Sequence, residues 1–418
     1  MTNYYNVIFV KMSIIFARDA ENVRHFCCCA LSKGVIEYAA FGMILYGVIS
    51  MRTRVFAHMK KDPVLWISGM LAAVTAMIVP PSAAYADYID IRTLALLFSL
   101  MAVVCAFTRK GLLDAAALYF VRRAKTRQGL GVMLVLLCYT SSMLITNDVA
   151  LITFVPLALI LMRDNGRAMM LTVVLQTVAA NLGSMLTPFG NPQNLYLYSA
   201  YAMSGKDFFT AVLPVGGVSL VAVLVLCLML PRTPLTVSTN PASSFKADIG
   251  IYLLGALFLL CIAAVLRFVP YPAAVFAAVA VLLFTDRQAL KKLDYNLLVT
   301  FCFFFVFVGN LARMETVKNL LGRLLAGHEI LVSAITSQFV SNVPAALMLS
   351  EFTDNGKALV TGTNIGGLGT LIASMASLIS FKLYCREEGA QPKIYVGMFT
   401  WVNAALLLLL LLLAQVLY

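Results

Sequence analysis

The sequence predicts an all-α polytopic membrane protein made of two related halves, each carrying a re-entrant hairpin and a broken helix, the second half inverted relative to the first. Three observations lead there. Of 418 residues, 61% are hydrophobic and 12% charged, and the mean hydropathy is +0.90. A soluble core cannot hide that much apolar surface, whereas a bilayer requires it. Two long apolar runs are interrupted near their middles by asparagine-centred polar triplets, and two others by clusters of glycine, proline, asparagine and threonine.

The formal net charge is +12, but the basic residues lie in short loops between apolar runs. They read as topology determinants and anionic-lipid contacts, not as a nucleic-acid face. Nine cysteines and three histidines show no metal-ligand spacing. Neither HExxH nor a Ser/His or paired-Asp arrangement is visible among the spans, so no enzyme, cofactor or metal is expected.

Residues 1–50 mix polar, charged and aromatic positions without a helical stripe, and their one apolar run, 35–50, is interrupted by Glu37. Arg52, Arg54, Lys60 and Lys61 before the next apolar segment resemble a cytoplasmic start, so the functional chain is expected to begin at Met51 or Met59. The first secure span is 64–79, stopped by Pro80 and Pro81, and 91–107 returns the chain to Arg109 and Lys110. Residues 111–127 are amphipathic and basic, suited to an interfacial helix.

Residues 129–162 would make a helix of roughly 51 Å, too long for a hydrocarbon core of about 30 Å. Both flanks are basic, with Arg122, Arg123, Lys125 and Arg127 before and Arg163 and Arg167 after. The run is therefore expected to turn back at Thr146-Asn147-Asp148 and carry these residues to mid-membrane, both of its ends being cytoplasmic. Residues 168–201 are again too long for one helix and contain Gly183, Pro188, Gly190 and Pro192, each expected to break it. A span at 208–230 closes the first repeat, 51–230, and the Pro/Ser/Thr/Asn-rich stretch 231–248 reads as a linker.

The second repeat, 249–418, follows the same plan. A helical pair at 249–269 and 273–284 precedes a span at 297–311 and an amphipathic helix at 315–329. Residues 330–352 carry Ser341-Asn342-Val343 near the middle, and 359–384 contain the second broken segment, TGTNIGGLGT. The final run, with eight leucines from Leu406, reads as a lipid-facing span. Assigned in this way, the loops place most basic residues on one side, with a cytoplasmic N-terminus and an inner (plasma) membrane location.

The halves match in detail. Asp90 answers Asp294, Thr146-Asn147-Asp148 answers Ser341-Asn342-Val343, and Asn181 answers Asn364. From there Thr187 pairs with Thr370, Asn191 with Ser374 and Asn194 with Ser377 without a gap. Broken helices at mid-membrane offer N–H groups to an anion, and unwound carbonyls and Asn, Ser or Thr side chains to a cation. The candidate ligand set is thus Thr146, Asn147, Asp148, Asn181, Thr187, Asn191, Asn194, Ser341, Asn342, Thr363, Asn364 and Thr370. Asp148 is the candidate for proton or cation coupling, with Arg267 or Arg313 as conceivable ion-pair partners instead; Val343 in the matching position makes the charged site single. These features indicate a secondary active transporter, with a channel or an intramembrane enzyme as competing classes.

The run from Thr146 through Pro156, Gly190-Asn191-Pro192-Gln193-Asn194, Ser341-Asn342-Val343-Pro344 and Gly362-Thr363-Asn364 together resemble the ion transporter superfamily of arsenite permeases, sodium/proton antiporters and divalent-anion or citrate symporters. The resemblance implies a homodimer with scaffold and transport parts and elevator-type movement. Asp148 and the Gly-Asn-Pro-Gln-Asn segment are most similar to the arsenite-permease-like branch. The implied substrate is a small inorganic ion or anion, such as an arsenite-like oxyanion, moved with protons or sodium; a sodium/proton antiporter and a divalent anion/dicarboxylate symporter are the alternatives.

Overall fold

A computed structural model describes residues 63–82, 85–121, 123–234 and 248–418. The expectation about residues 1–50 and most of the 231–248 linker lie outside the described residues. Among those residues there is no strand, only an isolated bridge between Thr126 and Pro234.

The first half comprises α1 (Pro63–Ile78), the short α2 (Tyr85–Tyr88), α3 (Ile91–Arg109), α4 (Leu112–Val121), α5 (Arg127–Ile145), α6 (Asn147–Leu161), α7 (Gly166–Ser184), α8 (Pro192–Ala200) and α9 (Gly205–Cys227). The second comprises α10 (Ile249–Val265), α11 (Tyr271–Thr285), the short α12 (Arg287–Lys291), α13 (Tyr295–Ala312), α14 (Glu315–Leu325), α15 (Glu329–Val340), α16 (Asn342–Ser350), α17 (Gly356–Ile365), α18 (Met375–Tyr384) and α19 (Pro392–Leu417). Five of these, α3, α5, α9, α13 and α19, are long and apolar enough to cross a membrane.

Nine of the nineteen described helix starts are set by a short polar side chain that accepts from the first turn. Asp90 takes Thr93 N–H, Thr126 takes Gly129, Asn165 takes Ala168, Asp248 takes Ile251, Asp294 takes Leu297 and Asn355 takes Ala358. Each satisfies one of the donors that a helix start leaves open. Pro192 and Pro392 occupy the first turns of α8 and α19, where no N–H is needed.

Two apolar cores form. One gathers α3, α10, α11 and α13 with Phe301, Phe304 and Phe305. The other gathers α5, α6, α7, α18 and α19, with Tyr139, Phe154, Tyr384 and Tyr395. Helix α9 gives Phe208 and Val212 to the first and Val215 and Val223 to the second. Helix α19 buries little of its surface, as its leucine run requires in lipid.

Ion pairs tie one end of the molecule together. Arg109 at the end of α3 meets Asp286 at 2.7 Å, Lys110 meets Asp248 at 2.5 Å, and Arg127 pairs with Asp164. The Lys110 ammonium also holds the Asp248 carboxyl below its ordinary range. The ends of α3 and α11 and the start of α10 are thus neighbours, as are the start of α5 and the end of α6.

One sequence expectation is corrected. Gly183 does not break the chain but lies inside α7, within its last turn. Its missing side chain serves close approach instead: a Cβ there would come within 2.1 Å of the Tyr139 carbonyl oxygen on α5. The interruption falls later, across Pro188 and Gly190, and Pro192 starts the next helix rather than ending one.

Candidate functional site: four helix breaks on one polar network

The two hairpins turn on single residues of like conformation. Thr146, between α5 and α6, has φ 77 and ψ 148; Ser341, between α15 and α16, has φ 74 and ψ 155. Residues with side chains rarely adopt that region, which is essentially glycine territory, and it costs on the order of 1–3 kcal/mol. The same geometry prevents both hydroxyl residues from capping the helix that follows. Strain of this kind, held twice at matching places, persists because the surrounding packing imposes it.

Each tip is held by the broken helix of its own half, in the same way. Thr187 Oγ1 donates to Met143 O at 2.5 Å, and Thr370 Oγ1 donates to Gln338 O at 3.0 Å. Met143 and Gln338 each stand three residues before their tip. Gly183 packs against Tyr139 and Ser142, and Gly366 against Ala334 and Ser337, again at equal distances along the chain from the two tips.

Across the halves the hydrogen bonds are reciprocal. Asn191, which caps α8, donates through Nδ2 to Asn364 Oδ1 of α17 at 2.9 Å. Ser374, at the start of α18, donates through Oγ to Asn181 Oδ1 of α7 at 2.9 Å. Asn181 also accepts from Asn147 Nδ2 at 3.1 Å and donates to Gly367 O at 3.3 Å. Asn364 Nδ2 reaches Asn194 Oδ1 at 2.6 Å, and Asn194 Nδ2 donates to Thr187 O at 3.0 Å. The Asn342 N–H of the second tip donates to Ala373 O at 2.9 Å. One network of buried amides and hydroxyls therefore joins both tips and both broken helices. Such groups are tolerated away from water only when they are paired.

Four helices end here (α5, α7, α15 and α17) and four begin (α6, α8, α16 and α18). Carbonyl ends suit a cation and N–H ends an anion. Asp148 sits in the first turn of α6, half-buried, with Oδ1 enclosed and without a hydrogen-bond partner. Neither arginine suggested by the sequence meets it. Arg267 donates to Ala202 O and Tyr198 O, and Arg313 lies over the Tyr88 ring at 5.4 Å. No ion pair among the described residues includes Asp148. Asp294 lines a crevice of about 20 Å³ with Thr300, Ser341, Val343 and Met375, room for little more than one water.

The structure brings Asn147, Asn181, Asn191, Asn194, Asn342 and Asn364 into the network. Thr146, Ser341, Thr187 and Thr370 shape the tips and their tethers, and Thr370 is exposed. Thr363 departs from expectation: its hydroxyl turns back to Leu359 O at 2.7 Å and takes no part. Gln338, whose Nε2 donates to Gly366 O and Leu368 O and whose Oε1 accepts from Thr370 N, is a member the sequence reading missed. Ser374 was legible only as the partner position of Asn191.

Glycine at either tip tests the strain. Thr146→Gly or Ser341→Gly should raise thermal stability by about 1 kcal/mol, because glycine adopts this backbone freely. The same variants should slow transport, since the tip is then less fixed. A lower unfolding midpoint in detergent for both variants contradicts the strain.

Known proteins align with this chain. The profile of the CitMHS family, described as citrate transporter, matches residues 46–355. The uncharacterized transporter MJ0456 of Methanocaldococcus jannaschii is 32% identical over 301 residues, 71% of this chain and 81% of its own length. Inner membrane protein YbiR of Escherichia coli is 29% identical over 300 residues, 71% of this chain and 80% of its own length. The solved YdaH transporter of Alcanivorax borkumensis, described as having an unusual topology, matches with a TM-score of 0.53 at 14% identity. The match covers 84% of this chain and 96% of that one and is a likeness of fold alone.

Proposed function

The chain belongs to the citrate transporter family and is a secondary transporter of the membrane, and on that premise we propose that it moves a small anion together with protons or sodium through the site at its four helix breaks. The observation that carries this reading is Asp148, a lone carboxylate on a strained hairpin tip, without a cationic partner among the described residues and joined through Asn147 to the cross-half network. An ionisable group at membrane depth is a functional group by default. An anion can approach it only if a proton or a metal cation offsets its charge, so substrate and coupling ion bind together.

The matched tethers and reciprocal bonds support two repeats, 51–230 and 249–418, inverted about a midplane axis. The two apolar cores support a division into scaffold and transport parts, with elevator-type movement of the second against the first in a homodimer. The ion-paired end rich in arginine and lysine supports a cytoplasmic assignment for that end in an inner (plasma) membrane, with the N-terminus on the same side. The substrate is an arsenite-like oxyanion or another small anion; divalent-anion or dicarboxylate symport uses the same donors. A second reading, sodium/proton antiport, is favoured by the two carboxylates themselves, Asp148 on the first tip and Asp294 in the crevice beside the second, since carboxylates suit a cation.

Purified protein in vesicles tests the reading. Uptake of citrate, a dicarboxylate, arsenite or antimonite should be driven by an imposed proton or sodium gradient. Sodium/proton exchange without any of these anions selects the second reading, and uptake indifferent to both gradients contradicts both.

A further inference from the structure

At the end of the molecule opposite Arg109 and Lys110, the start of α3 and the end of α10 come together, because the Lys110–Asp248 pair makes these two packed helices run antiparallel. The last turn of α8 and the start of α11 join them. Arg92 is the second residue of α3 and half-buried. Its Nε is enclosed and has no hydrogen-bond partner, and it takes part in none of the ion pairs among the described residues. An enclosed guanidinium N–H that donates to nothing costs more than one in water.

A second guanidinium stands close by. Arg267 follows α10 with φ 67, a left-handed conformation rare for a residue with a side chain. Its Nη1 donates to Ala202 O at 3.0 Å and its Nη2 to Tyr198 O at 3.3 Å, and Ala202 is itself held at φ 46. The Arg267 guanidinium lies 5.6 Å from the centre of the Tyr198 ring. Because α3 and α10 are packed antiparallel from the Lys110–Asp248 pair, Arg92, 18 residues before Lys110, and Arg267, 19 residues after Asp248, stand at the same level of the two helices. The carboxylate nearest in sequence, Asp90, is engaged: Oδ1 accepts from Thr93 N at 3.0 Å and Oδ2 from Thr93 Oγ1. Two guanidiniums thus stand at one end of the packed pair α3 and α10, with one carboxylate already bonded to its own helix.

We propose that Arg92 and Arg267 form an oxyanion site, distinct from the helix breaks, that takes a carboxylate or phosphate group with Arg92 as the main donor. The planar guanidinium fork matches both groups in a bidentate manner, and an anion between two cations removes their repulsion. Arg267, braced by two carbonyls and a positive φ, keeps its charge in position without a ligand. The anion has two sources, a free anion arriving from solution or the headgroup of a neighbouring anionic lipid.

Thermal unfolding of the purified chain in dodecyl maltoside distinguishes them. In one arm inorganic phosphate is titrated against sodium chloride at equal ionic strength; in the other, phosphatidylglycerol is added to the micelles. A free-anion site gives a phosphate-dependent rise in midpoint, and Arg92→Gln raises the half-saturating phosphate concentration roughly tenfold, the factor of a lost charged hydrogen bond. A headgroup site gives the same loss only in the lipid arm. Arg92→Lys keeps the charge without the fork and falls between. Arg267→Gln, at an exposed position, supplies the comparison if Arg92→Gln does not fold. Equal responses of the wild type and both glutamine variants in both arms, or no response of the wild type in either, overturn the proposal. Asp148→Asn should keep the Arg92-dependent response, so failure here and failure of the central-site reading are separable.

Discussion

In reconstituted vesicles Asp148→Asn is expected to take up substrate without regard to an imposed proton or sodium gradient. Wild-type transport coupled to one proton accumulates substrate about tenfold per unit of pH difference, because one unit is about 1.4 kcal/mol. The variant should lose that factor entirely. Asparagine keeps the size of the side chain and its place in the first turn of α6, so the tip and the Asn147–Asn181 bond should survive. What it removes is the only charge on either tip, Val343 being the matching residue of the second. Gradient-driven accumulation at the wild-type level by the variant refutes the assignment of coupling to Asp148.

The second large effect is structural. Gly183→Ala and Gly366→Ala should each destabilise the protein, Gly183→Ala the more. A Cβ at position 183 would lie 2.1 Å from the Tyr139 carbonyl oxygen, which moves only if α5 moves. At position 366 the nearest atoms are Ser337 Oγ at 2.7 Å, which can rotate, and Ala334 Cα at 2.8 Å. Overpacking of this kind costs about 1–3 kcal/mol, with more for a clash against backbone. Gly217→Ala is the internal comparison, since its Cβ meets nothing within 4 Å and alanine favours the helix. Unfolding midpoints should fall in the order Gly217→Ala, Gly366→Ala, Gly183→Ala. Equal midpoints for all three contradict the close packing of the broken helices on the hairpins.

The four breaks were legible because each violates a simple rule. The apolar run 129–162 is longer than the membrane and must turn, with Asn147 marking where, and its match Asn342 marks the second turn, each within one residue of the observed tips at Thr146 and Ser341. The pairing of Thr187 with Thr370 was legible from register alone, and their matching bonds to Met143 O and Gln338 O give that register a physical meaning. Other details depend on which way a side chain turns, and sequence spacing does not carry that. Thr363 turns its hydroxyl onto its own helix, as threonine in a helix often does, although its neighbour Asn364 faces the network. Gln338 looks like one more polar residue of α15 until three of its bonds close around residues 366–370. Gly183 carried a true signal that was misread: glycine can break a helix or let two helices touch, and only the position of Tyr139 decides between them. Arg267 and Arg313, conceivable partners of Asp148 by charge alone, each follow their own helix and are spent there on carbonyls or a ring.

Counterflow in vesicles tests the central claim most directly, namely that substrate binds at a single site at the helix breaks, which opens to the two sides in turn. Vesicles loaded with unlabelled substrate at high concentration, with no ion gradient, are given a trace of labelled substrate outside. A site that alternates carries label inward faster on its return, so uptake should be strongly stimulated and should overshoot. Uptake at the same rate with and without internal substrate contradicts the account, because a continuous pore has no site to return.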